Sequence, residues 1–483
     1  MHTSATPGSP REIVGCPPAP RERRAWLPSG IGACPPATPG ALSQGYWDDV
    51  LVRGMSLLVL AGLAACPAPR TPSSIGAGGV TLEIGRAGSS LAGVAGDGAV
   101  VFAALAARSP ALTTIEALRP SGGATPVWHA ELPGHGGPLA ASGKQVVAAL
   151  GGSGTAAGLA LRGDPGAAVA ALDAATGAVA WKLAVDSTDW AVIAAIAPDG
   201  QGGTVIGGAF VGTLRIADKV VSSAGQADGF VARLTAAGGI AWLVRVGGPG
   251  ADAIQGVAAA ADRIAIAGTF ATGADLLGEP LPAFDDRSVA ADGFVAELDS
   301  SGARRWLQSF GGPADDAVAG VAIDARGRVA VAATARDTVR IGATELTANG
   351  AADGLVAWWG PDGTPLSAVL VGGADFDGLR AIAPAGDRIV VAGFYSGSVQ
   401  LGDRALTAGG GDDAFVAELD ASGAVVHAWS VGGDGREEIT QLAAIPGGFL
   451  AGVAHTAGGT IDDVTLPSPA DPMSGAAIVV RPD

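Results

Sequence analysis

The sequence predicts an all-β fold, a seven-bladed β-propeller of four-stranded antiparallel blades, and three observations carry that prediction. The first is a recurring unit: Asp292-Gly293-Phe294-Val295-Ala296-Glu297-Leu298 returns as Asp228-Gly229-Phe230-Val231-Ala232, Asp353-Gly354-Leu355-Val356-Ala357 and Asp413-Ala414-Phe415-Val416-Ala417. Their starts lie 64, 61 and 60 residues apart, and a fixed period of that size built of short strands reads as one blade per repeat. The second is that each unit holds alternating apolar runs separated by glycine turns. The third is composition: 77 glycines, 48% hydrophobic and only 16% charged residues in 483 suit small-residue strands rather than helices or disorder.

Taken in order, residues 1–49 are rich in Pro, Gly and Arg without an apolar period, and are read as disordered if made at all. Residues 50–65 follow with a basic Arg53 and the apolar run from Leu57 to Ala65. Such a pattern is a secretory signal, and signals sit at true N-termini, so translation is expected to begin near Val50 and residues 1–49 to be untranslated. Leu63-Ala64-Ala65-Cys66 looks like the lipobox of bacterial lipoproteins, which makes Cys66 the lipidated first mature residue. The apolar run is too short to span a bilayer. Residues 66–79 then form a tether.

From Val80 onward the pattern is all strand. Each unit opens on a small-residue strand such as Val318-Ala319-Gly320-Val321-Ala322-Ile323, followed by a second, Ile264-Ala265-Ile266-Ala267 or Ile389-Val390-Val391-Ala392. A variable loop with a short apolar piece comes next, Val339 to Gly342 or Val399 to Gly402; the Asp-Gly-Phe strand is third, and a fourth ends in Gly-Gly. Alanine is a poor strand former, but sheets packed radially converge on their axis and leave room there only for Ala, Gly and Val. The Phe and Trp of outer strands fill the wider gaps between blades. The final unit stops without a fourth strand, and Val80-Thr81-Leu82-Glu83-Ile84-Gly85 alternates like one, so this segment is expected to complete the last blade and close the propeller, 80–483.

With these residues in view, the unit G-x-D-(G/A)-F-V-A-x-L-D-x-x-G-x-x-x-W followed by Gly-Gly resembles the bacterial SBBP repeat, over Trp190 to Asp420 most clearly. The resemblance implies a propeller in a secreted or lipid-anchored envelope protein of unassigned activity. The Trp of Trp242 and Trp306 is replaced by Ser367 in one unit and His427 in another. Locally, Ala171-Leu172-Asp173 to Trp181 resembles the docking motif of quinoprotein-type and outer-membrane-assembly propellers, in which Trp packs over a turn of the neighbouring blade.

A net charge of −17 argues against a nucleic-acid partner. Three cysteines and five scattered histidines offer no disulfide or zinc spacing, and no nucleophile is paired with a base. Two carboxylates recur per unit: Asp228, Asp292, Asp353 and Asp413 open the third strand, while Asp252, Asp316, Asp377 and Glu437 lie just past Gly-Gly. Loop carboxylates bind Ca²⁺ in other settings, and the denser groups Asp315-Asp316 and Asp375-Phe376-Asp377 are the metal candidates. Side chains that accept backbone N–H groups and fix turns are the preferred reading, because every blade needs a turn. The expected function is a monomeric, lipid-anchored extracytoplasmic scaffold without cofactor or catalysis, binding an envelope protein or polysaccharide through loops such as 271–290. The rival is an enzyme, a quinoprotein-like oxidoreductase or a lyase with a Ca-assisted site.

Overall fold

The computed structural model describes residues 73–75, 79–84, 89–97, 99–122, 125–284, 290–446, 448–456, 458–462, 464–466 and 475–482. The chain divides into two units, Met1–Leu60 and Ala61–Asp483, and every described residue belongs to the second. Residues 1–49, expected to be untranslated, the signal expected over 50–65 and Cys66 lie outside the described residues.

The described residues form a β-propeller. Second and third strands of each unit are buried along almost their whole length, as in Arg263–Phe270 and Asp292–Asp299, because both faces of the sheet pack on a neighbouring sheet. The innermost strands follow one another around an axis in chain order. That of the final sheet, Glu437–Ile445, lies beside both Gly378–Ala385 and Ser89–Gly96, which closes the ring.

The strand count corrects the expectation of seven four-stranded blades. Contiguous chain builds six blades, residues 89–133, 135–187, 190–247, 253–311, 317–371 and 378–433, and only the first and fifth of these are four-stranded sheets. The remaining sheet is a five-stranded composite of the two chain ends. In it Gly79–Glu83 pairs with Gly475–Pro482 through Val80↔Val480, Thr81↔Val479, Leu82↔Ile478 and Glu83↔Ala477. Ser73–Ile75, expected within a tether, pairs in turn with Gly79–Thr81 and is the outermost strand. Leu82 and Ile84 are wholly buried.

The second, third, fourth and sixth blades are six-stranded because the variable loop of the following unit is a hairpin that adds to the preceding blade's outer edge. Thr338–Ile341, for example, pairs with Arg304–Gly311 through Phe310↔Ile341 and Gly311↔Arg340 while folding back on Thr344–Thr347. Val339 and Ile341 are buried and Arg340 is exposed, so the period-two alternation is satisfied by one face of a borrowed strand. An uncovered outer edge is a template for aggregation, and these hairpins cover it. At the fifth blade the corresponding hairpin, Ser398–Leu401 with Arg404–Thr407, is a separate two-stranded sheet touching the edge by one bridge, Gly373↔Val399.

Neighbouring blades are also pinned by indoles. The Nε1–H groups of Trp128, Trp181 and Trp242 donate to the carbonyls of Ala174, Ala236 and Ser300, each at 3.0 Å, in a hairpin turn of the next blade. Trp242 lies over Gly302, whose φ of +87° suits the turn and where an added Cβ would stand 3.0 Å from the ring. Where the fifth blade has Ser367 instead, its hydroxyl donates to Ala421 O at 3.1 Å and keeps the polar half of the link.

Every innermost strand carries a register shift, for example Ile254/Gly256, Val318/Gly320, Leu379/Ala381 and Ile439/Gln441. The extra residues at these bulges are Gln255, Ala319, Arg380 and Thr440. A bulge re-aims a side chain. The ring is further tied by Gln441, whose Oε1 accepts the N–H of Val94 at 3.1 Å and of Leu139 at 3.3 Å while its Nε2 donates to Leu139 O at 3.0 Å.

Candidate functional site

The recurrent carboxylates gather where third strands begin and outermost strands hand over to the next blade. Asp228, Asp353 and Asp413 each accept, on Oδ2, the N–H of the residue four positions earlier, Ala224, Asn349 and Gly409, at 2.8 to 3.0 Å; Asp292 accepts that of Phe284 at 2.8 Å. The Gly-Gly that ends each outermost strand makes room for them. A Cβ at Gly372 would come within 2.3 Å of Asp353 Oδ1, so only glycine fits beneath that carboxylate.

The second set serves the same loops. Asp252 Oδ2 accepts Gly248 N–H and Oδ1 accepts Ala271 N–H, both at 2.8 Å; Asp377 takes Gly373 at 2.6 Å and Ser396 at 3.0 Å. All eight side chains are buried. Burial is the main cause that pushes Asp252 and Glu437 up to about 7 and Asp316 to about 8, with the facing carboxylates Asp228, Asp413 and Asp292 adding to it. Asp353, Asp377 and Asp413 are raised as well, again by burial first.

Of the metal candidates, Asp315, Asp316 and Asp377 accept loop N–H groups, as turn-fixing side chains do. Asp315 Oδ1 accepts Ala291 N–H at 2.9 Å, Asp316 Oδ1 faces Arg336 N–H at 3.4 Å, and Asp375 is exposed. Among the described residues no group of three His, Cys, Asp or Glu is placed to hold a metal ion.

What differs between blades is more telling. At the junction of the fifth and sixth blades the exposed Arg336 lies over the half-buried Phe376 ring, 5.7 Å from its centroid; Phe376 meets the buried Phe394 at 5.5 Å; and Arg380, on the innermost strand, lies 4.7 Å from the Phe394 centroid. This Arg-Phe-Phe-Arg stack runs from the loop face to the inner ring. In the fourth blade the positions of Arg380 and Phe394 are held by Gln255 and Thr269, joined by hydrogen bonds of 2.8 and 2.9 Å. Among the described residues, Arg380 is the one Lys or Arg on an innermost strand of the ring. Sequence reasoning singled out the carboxylates flanking Phe376 but not the stack, because its members lie far apart in sequence in three different segments; the signal was the departure of Phe376 and Arg380 from the repeat.

A cavity of about 290 Å³ is walled by Ile341 to Thr344 and Pro365 to Ala368 on the outer side of the fifth blade. It lies in the region of the incompletely covered edge, with Leu366 exposed at its rim.

No protein-family model matches the chain, and no curated protein matches it. Solved structures to which it is similar include three of low identity. BamB from Moraxella catarrhalis is 17% identical over 86% of this chain and 95% of its own, with a TM-score of 0.41. A europium-containing methanol dehydrogenase is 11% identical over 82% and 92%, with a TM-score of 0.36. Sqt1 of Saccharomyces cerevisiae is 9% identical over 83% and 98%, also with a TM-score of 0.36. At these values no function is carried across.

Proposed function

We propose that this chain is a binding or scaffolding propeller of the bacterial envelope, held there through Cys66, whose partner docks on the loop face at the junction of the fifth and sixth blades. The observation that carries the reading is the Arg336-Phe376-Phe394-Arg380 stack: arginine and aromatic side chains at the centre of a patch are the residues that dominate protein recognition. Asp228, Asp252, Asp353 and Asp377 on this face accept loop N–H groups, so they serve the scaffold. The lipobox-like run before Cys66 supports anchoring, and the SBBP-like unit supports an extracytoplasmic place.

An enzyme needs an accessible acid or base. The carboxylates raised to about 7 or 8, Asp252, Asp316 and Glu437, are buried, which speaks for binding. The test is a pull-down from native envelope with the full-length chain and its Arg336→Ala and Phe376→Ala variants. A partner lost in both variants at unchanged melting temperature supports the reading; retention in both sinks it. A melting temperature raised by quinone cofactor favours the oxidoreductase instead, since ligand at 100 Kd adds about 2.7 kcal/mol.

A further inference from the structure

The carboxylates stand in pairs: Asp228 with Asp252, Asp292 with Asp316, Asp353 with Asp377, and Asp413 with Glu437. Within each pair one member opens a third strand, the other stands at the start of the next blade's innermost strand, and the two are close enough for each carboxylate to act on the other's charge. Asp228 and Asp252 lean over one handover glycine, Asp353 and Asp377 over the successive Gly372 and Gly373, and Asp413 and Glu437 come within hydrogen-bond reach of each other. A Cβ at Gly247 would stand 2.7 Å from the Asp228 carboxyl carbon and 2.9 Å from Asp252 Oδ2. Asp353 Oδ1 and Asp228 Oδ1 are buried and accept no hydrogen bond. Two carboxyl groups crowded in a dry pocket cannot both carry charge.

We infer that each of these four pairs shares one proton at neutral pH, a carboxyl O–H of one residue donating to a carboxylate oxygen of the other, so that the loop face is locked in acid and loosens in alkali. Cations and acids both face the pairs. Arg245 faces Asp228 at 2.5 Å but is shared with Asp275 at 2.9 Å. Asp315 and Arg336 face Asp316; Asp375 faces Asp377; Asp412 and Asp434 lie beside Asp413 and Glu437, with Tyr395 nearby and His455 opposite Glu437 on the paired strand. Most of these neighbours are acids, so the surroundings add to the cost of a second charge. Raised carboxyl values agree: their stabilisation is full below the ordinary carboxylate range and is lost as pH rises through about 7 to 8.

The device goes beyond the binding role and is tested independently of any partner. The melting temperature of the full-length chain is followed from about pH 5 to about pH 9, and protons released on unfolding are counted at about pH 6 by calorimetry in buffers of different ionisation enthalpy. A melting temperature that falls by several degrees toward alkali, with about one proton released per pair, supports the lock. Asp316→Asn and Glu437→Gln, which imitate the protonated group, are each expected to remove about one proton from that release and to flatten the fall. A flat profile, or variants that release as many protons as the parent, overturns it. If neither variant folds, the parent's count decides: about four supports the lock and near zero refutes it. Millimolar calcium that raises the alkaline melting temperature also overturns it, because the pairs then hold a cation in place of a proton.

Discussion

Trp242 shows how one side chain serves two blades, with its ring on Gly302 and its N–H on Ser300 O. Trp242→Phe is expected to lose about 1 kcal/mol, the hydrogen bond alone, and Trp242→Ala about 3 kcal/mol, measured by urea unfolding; equal losses would mean the bond contributes nothing. A buried ion pair makes a second case. Glu297 is wholly buried, held by Arg263 on two contacts and by Arg305 at 3.1 Å. Arg263→Met leaves that carboxylate underpaired and is expected to cost about 3 kcal/mol, well above Arg305→Met, since removing one partner strands a buried charge. The turn aspartates behave oppositely to the paired ones. Hydrogen bonds from Ser or Thr hydroxyls lower Asp173, Asp299 and Asp420, so what they contribute is lost only as pH falls below about 4. With the alkaline loss described above, the melting temperature should peak on the acid side of neutrality; a peak above about pH 8 would contradict both assignments. At this scale the sequence was readable wherever a residue repeats: turn aspartates and docking tryptophans stand at fixed offsets. It was silent on Arg380, because no offset links it to Phe394.

A strand four residues long says nothing about which sheet it joins. Val339 to Gly342 was legible as an apolar piece, yet its partner is the outermost strand of the previous blade, a choice made by tertiary geometry. That is why the expected four strands per blade gave way to six. Ile341 is buried in this contact, so Ile341→Asp is expected both to destabilise by about 3 kcal/mol and to uncover the edge of Arg304–Gly311. Light scattering at rising concentration checks the second effect, and a variant that is destabilised yet stays monodisperse would show that the hairpin does not guard the edge. The bulges on the innermost strands were equally hidden, since an extra residue breaks the period by one and a short strand of Ala and Gly has little contrast to break.

The architecture of the whole molecule was legible because a repeat near sixty residues leaves few ways to bury its faces. The pairing of Val80 to Glu83 with the chain's tail was legible from a missing strand at one end and a spare one at the other. Counting blades was harder: the composite sheet has no contiguous unit of its own, and Ser73–Ile75 adds to it unannounced. Leu82→Ala is expected to cost about 3 kcal/mol despite lying hundreds of residues from its partner Ile478, with chemical denaturation as the check. A loss under about 1 kcal/mol would mean the ring holds without it.

The same composite sheet sets a timetable. Its inner strands and the tail that carries Ile478 leave the ribosome after the six contiguous blades, while the segment around Leu82 leaves before them. Six blades can collapse as they are made, but the circle stays ajar until the strand of Ile478 emerges, and the segment around Leu82 must wait for it across the whole run of blades.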